Sequence, residues 1–311
     1  MENQTTYHTP VLADAALSYL LTDLKGVYVD ATVGGGGHAE RILQQLEQEG
    51  RLVGLDRDED AVNSAQRRLG KYGDRVRIVR ANFTQMKTIV EHLGIKKTSG
   101  ILLDLGVSSH QVEAEGRGFS FQRNERIDMR MDRRQELDGW TVVNQYSMEA
   151  LADLLRQYGE EKRSRRIAKG IAHHREEKVL DSTHDLVGIV RSVVGGKHVQ
   201  NSLARVFQAI RIEVNQELEN LQKMLREAVD LLRSGGRIVV ISYHSLEDRI
   251  VKDFFRAEAA AFLPSGTKLA PDTPKQPHVR ILTKKPIVSG LGEVSVNPRA
   301  RSAKLRAAER I

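Results

Sequence analysis

Residues 27–38 read VYVDATVGGGGH, and the fold follows from this stretch. Val27, Tyr28 and Val29 form a short apolar run without helical spacing, as in a buried strand. Asp30 closes the run, and four glycines, Gly34 to Gly37, follow. The next segment, ERILQQL, sets Ile42, Leu43 and Leu46 on one helical face. Strand, glycine turn and helix together make the opening unit of a nucleotide-binding α/β sheet. Glycines suit such a turn because it is tight and a ligand must lie against bare backbone.

A second apolar run, RLVGLD, ends in Asp56, 19 residues beyond Gly37. A carboxylate at that place can accept hydrogen bonds from both hydroxyls of a ribose, so an adenosine-type cofactor is expected. The string GGGGHA also satisfies G-x-G-x-x-A, which keeps a nicotinamide dinucleotide in view. Three details favour S-adenosylmethionine. Asp30 would oppose a pyrophosphate but suit a sulfonium and an amino group. Asn82 and Phe83 follow the third strand, where an aromatic ring can cover an adenine. Asp104 ends the fourth, facing the cleft where ligands of open α/β sheets lie.

The chain has 311 residues, enough for a sizeable core in one or two domains. It has no run of 18 apolar residues and no cysteine, which excludes disulfides and thiol chemistry. Its N-terminus lacks a basic region followed by an apolar stretch, so a cytoplasmic enzyme is expected. The net charge of +7 points to a polyanionic partner. Two clusters carry it locally: Lys162, Arg163, Arg165, Arg166 and Lys169, and in the tail Arg299, Arg301, Lys304, Arg306 and Arg310. Neutralising Arg163, Arg165 and Arg166 is expected to weaken binding of such a polyanion.

Strands are expected near 27–31, 52–56, 76–80 and 101–105, with helices at 11–24, 38–48, 59–69 and 84–93. Such alternation builds a mostly parallel sheet covered on both faces. The rhythm breaks at 110. Residues 111–213 show helices and no convincing strand, too long a stretch for a connecting loop. The expected division is therefore 1–110 with 214–311 as the cofactor-binding domain, and 111–213 as an inserted helical substrate-recognition domain. One long helix is expected from 202 to 232, ended by Gly235 and Gly236, with a fifth strand at 237–242. A helix capped by Ser245, a loop over 263–278, and an edge pair of strands, HVRILTK and AKLRAAERI, complete the chain.

Several strings together carry a resemblance: TVGGGGH, GLDRD, DLGVSS followed by Gln111, RGFSF, DMRMD, YGEE, FQAIRIEVNQEL, SYHSLEDR and NPRARSAKLR. Over almost its whole length the chain resembles the bacterial ribosomal small-subunit RNA (cytosine-N4)-methyltransferases of the H type. The resemblance implies a class I methyltransferase fold, Rossmann-like, with a helical insertion. It also implies S-adenosyl-L-methionine as methyl donor. The substrate it implies is a decoding-centre cytidine of 16S ribosomal RNA in the assembled small subunit. By motif, cofactor contacts fall on Gly36, Gly37, His38, Asp56, Phe83, Asp104 and Gln111.

The exocyclic amine of cytosine is a poor nucleophile because its lone pair is delocalised into the ring. An acceptor on that amine favours the reactive form and can take the proton. Asp104 and His244 are the expected catalytic residues, with Ser108 and Ser109 as further acceptors. Phe119, Phe121 or Tyr243 would stack on the base. His244 is equally suited to capping a helix, and Phe119 and Phe121 to anchoring the core of the insertion. No metal is required. A methyltransferase for protein or small molecules, and a ribosome-assembly factor with a relic pocket, are the competing readings.

Overall fold

The computed structural model describes residues 10–263 and 272–311, which form two compact units, Met1–Gly106 with Leu218–Ile311, and Val107–Glu217. Residues 264–271 of the expected loop lie outside the described residues. Among those described, no helix is long and apolar enough to cross a membrane.

The first unit is built on strands β1 (Val27–Asp30), β2 (Arg51–Asp56), β3 (Val76–Arg80), β4 (Thr98–Asp104) and β5 (Leu232–Ser242). They are parallel and lie in the order β3-β2-β1-β4-β5. The central strands are continuous apolar runs because both faces of a parallel sheet are covered; Tyr28, Val29, Ile101, Leu102, Leu103, Ile238 and Val239 are all fully buried. Helices α1 (Ala13–Leu20), α2 (Gly37–Gln45), α3 (Glu59–Leu69) and α4 (Met86–His92) alternate with the strands. α3 shows why it starts where it does. Asp58 accepts the Asp60 N–H as its cap, with Glu59 and Asp60 in the first turn and Arg67 and Arg68 in the last.

β1 and β4 approach closely only because residue 100 has no side chain. A Cβ there would stand 2.7 Å from the Tyr28 ring and 2.9 Å from Leu20. Gly100→Ala is expected to destabilise the protein by about 1–3 kcal/mol, as overpacking does. A denaturant midpoint equal to wild type would refute this.

Three expectations change at the sheet's far side. The helix ending at Gly235 is instead α11 (Glu217–Leu231), and β5 begins at Leu232. Leu232 pairs with Thr98 and Arg237 with Gly100, so Gly235, at φ +76°, lies in a bulge of the strand. HVRILTK and AKLRAAERI do pair, as β8 (Val279–Ile281) and β10 (Lys304–Arg310). β10 is nevertheless no edge strand. It lies antiparallel between β5 and β8 and also pairs β9 (Ile287–Val288), because its run Leu305–Ala308 is buried. β6 (Phe262–Leu263) and β7 (Thr273–Pro274) form a separate two-residue ribbon. Finally, α12 (Ser245–Ala259) is capped by His244 rather than Ser245.

The second unit is helical: α5 (Ser109–Glu113), α6 (Gly139–Gln145), α7 (Met148–Gln157), α8 (Ser164–Glu177), α9 (Thr183–Val194) and α10 (Val199–Asn215). Leu151, Leu155, Ile167, Ile171, Leu186, Val190, Leu203, Val206 and Ile210 make its core. The single long helix expected over 202–232 is broken at Gln216, which is left-handed at φ +49°. Val214 and Leu218 keep the apolar spacing across the break, so periodicity cannot reveal it. The neighbouring Asn215 is buried, accepting the Met131 N–H at 2.9 Å and donating to the Met129 and Arg211 carbonyls. DMRMD is thereby folded onto α10, with Arg130 bidentate on Asp128.

Candidate active site

Parallel strands bring their carboxyl ends to one edge of the sheet, and β1 beside β4 is where the strand order reverses. Asp30, Asp56 and Asp104 are the last residues of β1, β2 and β4. Tyr243 and His244 follow β5 directly. The edge thus gathers three carboxylates, a phenol and an imidazole from segments far apart in sequence.

The glycine turn is tied to both neighbouring strands. Ala31 donates to the Leu102 carbonyl and Val33 to the Leu55 carbonyl, each at 2.8 Å. The Gly34 N–H donates to Asp56 Oδ2 at 2.9 Å, while Asp58 N–H donates to Oδ1 at 2.9 Å. Gly34 and Gly36 lie at φ +51° and +83°, and a Cβ on Gly36 would press on Leu69 at 3.3 Å. These two positions require glycine. Gly37, the first residue of α2, meets only ordinary contact with Pro10. The Thr32 hydroxyl oxygen accepts the Asp104 N–H at 2.7 Å, which fixes the turn to the end of β4.

Asp30 is 1% exposed, and its Oδ2 has no hydrogen-bond partner among the described residues; Oδ1 accepts the Thr32 N–H. Burial pushes this carboxyl up to about 7, an effect eased by His38 and the Thr32 N–H and increased by Asp104 and Asp56. Burial likewise pushes Asp56 up to about 6, against the two N–H donors that hold it. His38 is buried as well, with Nε2 3.4 Å from Asp104 Oδ2 but outside hydrogen-bond geometry. Burial opposes its charged form, yet the carboxylates of Asp104 and Asp30 outweigh that and raise it.

Tyr243 donates its hydroxyl to Asp104 Oδ1 at 2.7 Å. Burial, then the Asp104 charge, raises this phenol well above its ordinary range, so it stays a donor. Gly106, at φ +92°, allows the approach, since a Cβ there would stand 3.2 Å from the Tyr243 ring. Glu247 accepts the Tyr243 N–H at 3.0 Å, and His244 Nδ1 accepts the Glu247 N–H at 3.4 Å. His244 thus serves as the cap of α12, and its Nε2, 3.3 Å from Glu247 Oε1, has no hydrogen-bond partner among the described residues.

The pattern described as the MraW methylase family matches residues 5–311. The chain belongs to that family. It is 45% identical, over 100% of both chains, to a protein of Syntrophotalea carbinolica named ribosomal RNA small subunit methyltransferase H. A protein of the same name from Caldicellulosiruptor bescii is 43% identical over 98% of this chain and 99% of its own. Solved structures give distant likenesses, such as a putative rRNA-methylase from Clostridium thermocellum at 13% identity and TM-score 0.45, over 96% of this chain and 95% of that one.

In this MraW-family chain the expected residues fall as follows. Gly36, Gly37, His38, Asp56 and Asp104 meet at the carboxyl edge, joined by Tyr243 and His244. Phe83 opens a short 3-10 turn after β3, beside the Asn82–Gln85 capping box, with its ring half-buried on the sheet core. Gln111 belongs to the helical unit, where its Oε1 accepts the Ser108 N–H and its own N–H donates to Ser108 Oγ. Ser108 is thus the cap of α5. Phe119 and Phe121 lie against the helical core, Phe121 edge-on to Phe207 with centroids 5.6 Å apart. Thr32 and Glu247 went unnoticed in the sequence. Thr32 sits inside the glycine motif but acts across to β4, and no local signal marks such a contact.

The tail cluster also reads differently in three dimensions. Arg306 and Lys304 pair with Asp248, and Arg310 donates to the His278 carbonyl. These cations hold β10 and its neighbours together and are not free for a polyanion.

Proposed function

We propose that this protein transfers a methyl group from S-adenosyl-L-methionine to the exocyclic N4 amine of a cytidine in 16S ribosomal RNA within the assembled small subunit. One observation supports the reading above others: three carboxylates converge at the strand-order reversal of a methylase-family chain, one of them buried with an oxygen that lacks a partner among the described residues. A cation is the complementary ligand for such a group. A pyrophosphate would meet repulsion there.

When bound, the donor supplies an activated methyl on a sulfonium that leaves as a neutral thioether. Asp30 and Asp104 would face that positive charge, with His38 tempering the repulsion of the two carboxylates. Asp56, clamped by two N–H groups, keeps lone pairs that would take the ribose hydroxyls, and Phe83 would cover the adenine. As the amine nitrogen takes the methyl, its surplus proton passes to Asp104 Oδ2, while Tyr243 holds Oδ1 in place. With Nδ1 taken up by the Glu247 N–H, the neutral ring of His244 carries its proton on Nε2 and offers a donor at this edge. Alignment of amine and methyl supplies the larger share of the rate, about 7–11 kcal/mol in well-oriented cases.

A pH dependence follows. Asp30 stands near 7 in the folded chain against an ordinary 3.8. The folded protein therefore binds more protons than the unfolded chain between those values, and stability falls as pH rises through the interval. The penalty is absent below the lower value and complete above the upper. A cationic donor beside Asp30 offsets it, so the rise in melting temperature on adding donor should grow from pH 5 to pH 8. In Asp30→Asn that growth should shrink. A donor-induced shift identical at both pH values in wild type would contradict the assignment of Asp30.

The function itself is tested by mapping N4-methylcytidine in small-subunit RNA from cells with and without the gene. Labelled methyl should reach purified small subunits lacking the mark, and neither free cytidine nor total protein. Transfer to protein instead would favour the competing methyltransferase reading. Donor binding without transfer to any substrate would favour an assembly factor.

A further inference from the structure

We infer that the start of α8, with the end of α9 and the turn after it, is the surface of the helical unit that grips ribosomal RNA phosphates. This rests on the RNA-methyltransferase reading and names where the substrate is held. Lys162, Arg165, Arg166 and Lys169 are exposed, and none makes an ion pair or side-chain hydrogen bond among the described residues. The same holds for Arg191, in the last turn of α9, and for Lys197 in the turn that follows.

Arg163 brings these groups to one end of the unit. It caps α8 without a side-chain bond to its own helix, and its Nη1 donates to the Val194 carbonyl at 3.0 Å. Val194 is the last residue of α9, next to Gly195-Gly196-Lys197-His198. No acid interrupts 162–175 or 186–212. Glu161, just before the first stretch, is buried beside Arg205 at 3.7 Å.

A solvated helix face would not be built this way. The first turn of a helix favours acids, since its free N–H groups carry partial positive charge, and α8 has none there. It places Arg165 and Arg166 in that turn instead. Arg165 and Lys169 are four apart in α8, so like charges face each other along the helix. The arrangement works against the helix on both counts. Local rules broken without an internal compensation mark a site whose partner lies outside the chain. A phosphate backbone supplies that compensation by releasing its counterions to the cations. Lys304, Arg306 and Arg310 of the tail cluster, held by Asp248 and the His278 carbonyl, lack this property.

The test is a four-fold variant, Lys162→Gln, Arg165→Gln, Arg166→Gln and Lys169→Gln, with Arg163 left in place. A control removes the same charge elsewhere: Lys87→Gln, Lys96→Gln, Lys223→Gln and Arg226→Gln, all exposed. Binding to small subunits is measured across salt concentrations, with donor affinity and melting temperature alongside. The α8 variant should bind subunits at least tenfold more weakly, and its slope of log affinity against log salt should flatten by about 0.7–0.9 per lost contact. It should hold donor normally and melt no lower than wild type, while the control changes little. Equal losses in variant and control, an unchanged slope, or a lower melting temperature would overturn the assignment. Wild type that methylates no ribosomal RNA would remove the functional reading itself. Methylating wild type with an unaffected α8 variant removes only this surface.

Discussion

Asp104→Asn is expected to lower the single-turnover rate of methyl transfer by roughly 10²–10⁴-fold, the range for loss of a positioned proton acceptor. The amide keeps the shape of the carboxylate and can still accept the Tyr243 hydroxyl, which lies 2.7 Å from Oδ1. The Thr32 bond involves the backbone N–H of residue 104 and also survives. What is lost is the basic oxygen beside the substrate amine and part of the charge that faces the donor. The rate should therefore fall much more than donor affinity. Tyr243→Phe gives the companion result, a smaller loss, since the carboxylate remains but is free to turn. Rapid-quench measurement at saturating donor and subunit decides between them. A rate for Asp104→Asn within threefold of wild type would show that the proton leaves by another route.

Donor binding should fail most severely in Asp56→Ala. Each hydrogen bond to a charged acceptor contributes about 1.5–3 kcal/mol. Losing two ribose hydroxyl contacts then weakens the donor by roughly 10²–10⁴-fold. The carboxylate also holds the turn, through Gly34 N–H on Oδ2 and Asp58 N–H on Oδ1. Its removal leaves the Gly34 amide without its acceptor, so the loop that floors the cleft loosens at the same time. Asp56→Asn separates the two effects. Its side-chain oxygen can keep one N–H, whereas its amide cannot accept from both hydroxyls. Calorimetry with S-adenosylmethionine gives the answer directly, and an affinity for Asp56→Ala within threefold of wild type would remove Asp56 from the ribose.

The sequence by itself determined the parallel half of the sheet and the place of its ligand edge. Val27–Val29, Leu52–Leu55 and Ile101–Leu103 are uninterrupted apolar runs, and burial on both faces is the only common reason for such strands. Asp30, Asp56 and Asp104 each end a run, so parallel pairing alone sets them side by side. The helices of the second unit were legible for a similar local reason, because α7, α8 and α9 carry apolar residues at helical spacing.

Only the tertiary structure decided the rest. The break at Gln216 is invisible to periodicity, since Val214 and Leu218 remain four apart across it, and the residue beside it, Asn215, is bonded to the distant DMRMD segment. The bulge at Gly235 depends on register with β4, which composition does not encode. The two basic clusters look alike as strings. Arg306 is consumed by Asp248, 58 residues away, whereas Arg165 and Arg166 meet no acid among the described residues. Likewise the bond from Tyr243 to Asp104 spans 139 positions. Short-range patterns report what a residue's neighbours in the chain impose. Partners brought together by sheet order leave no such trace.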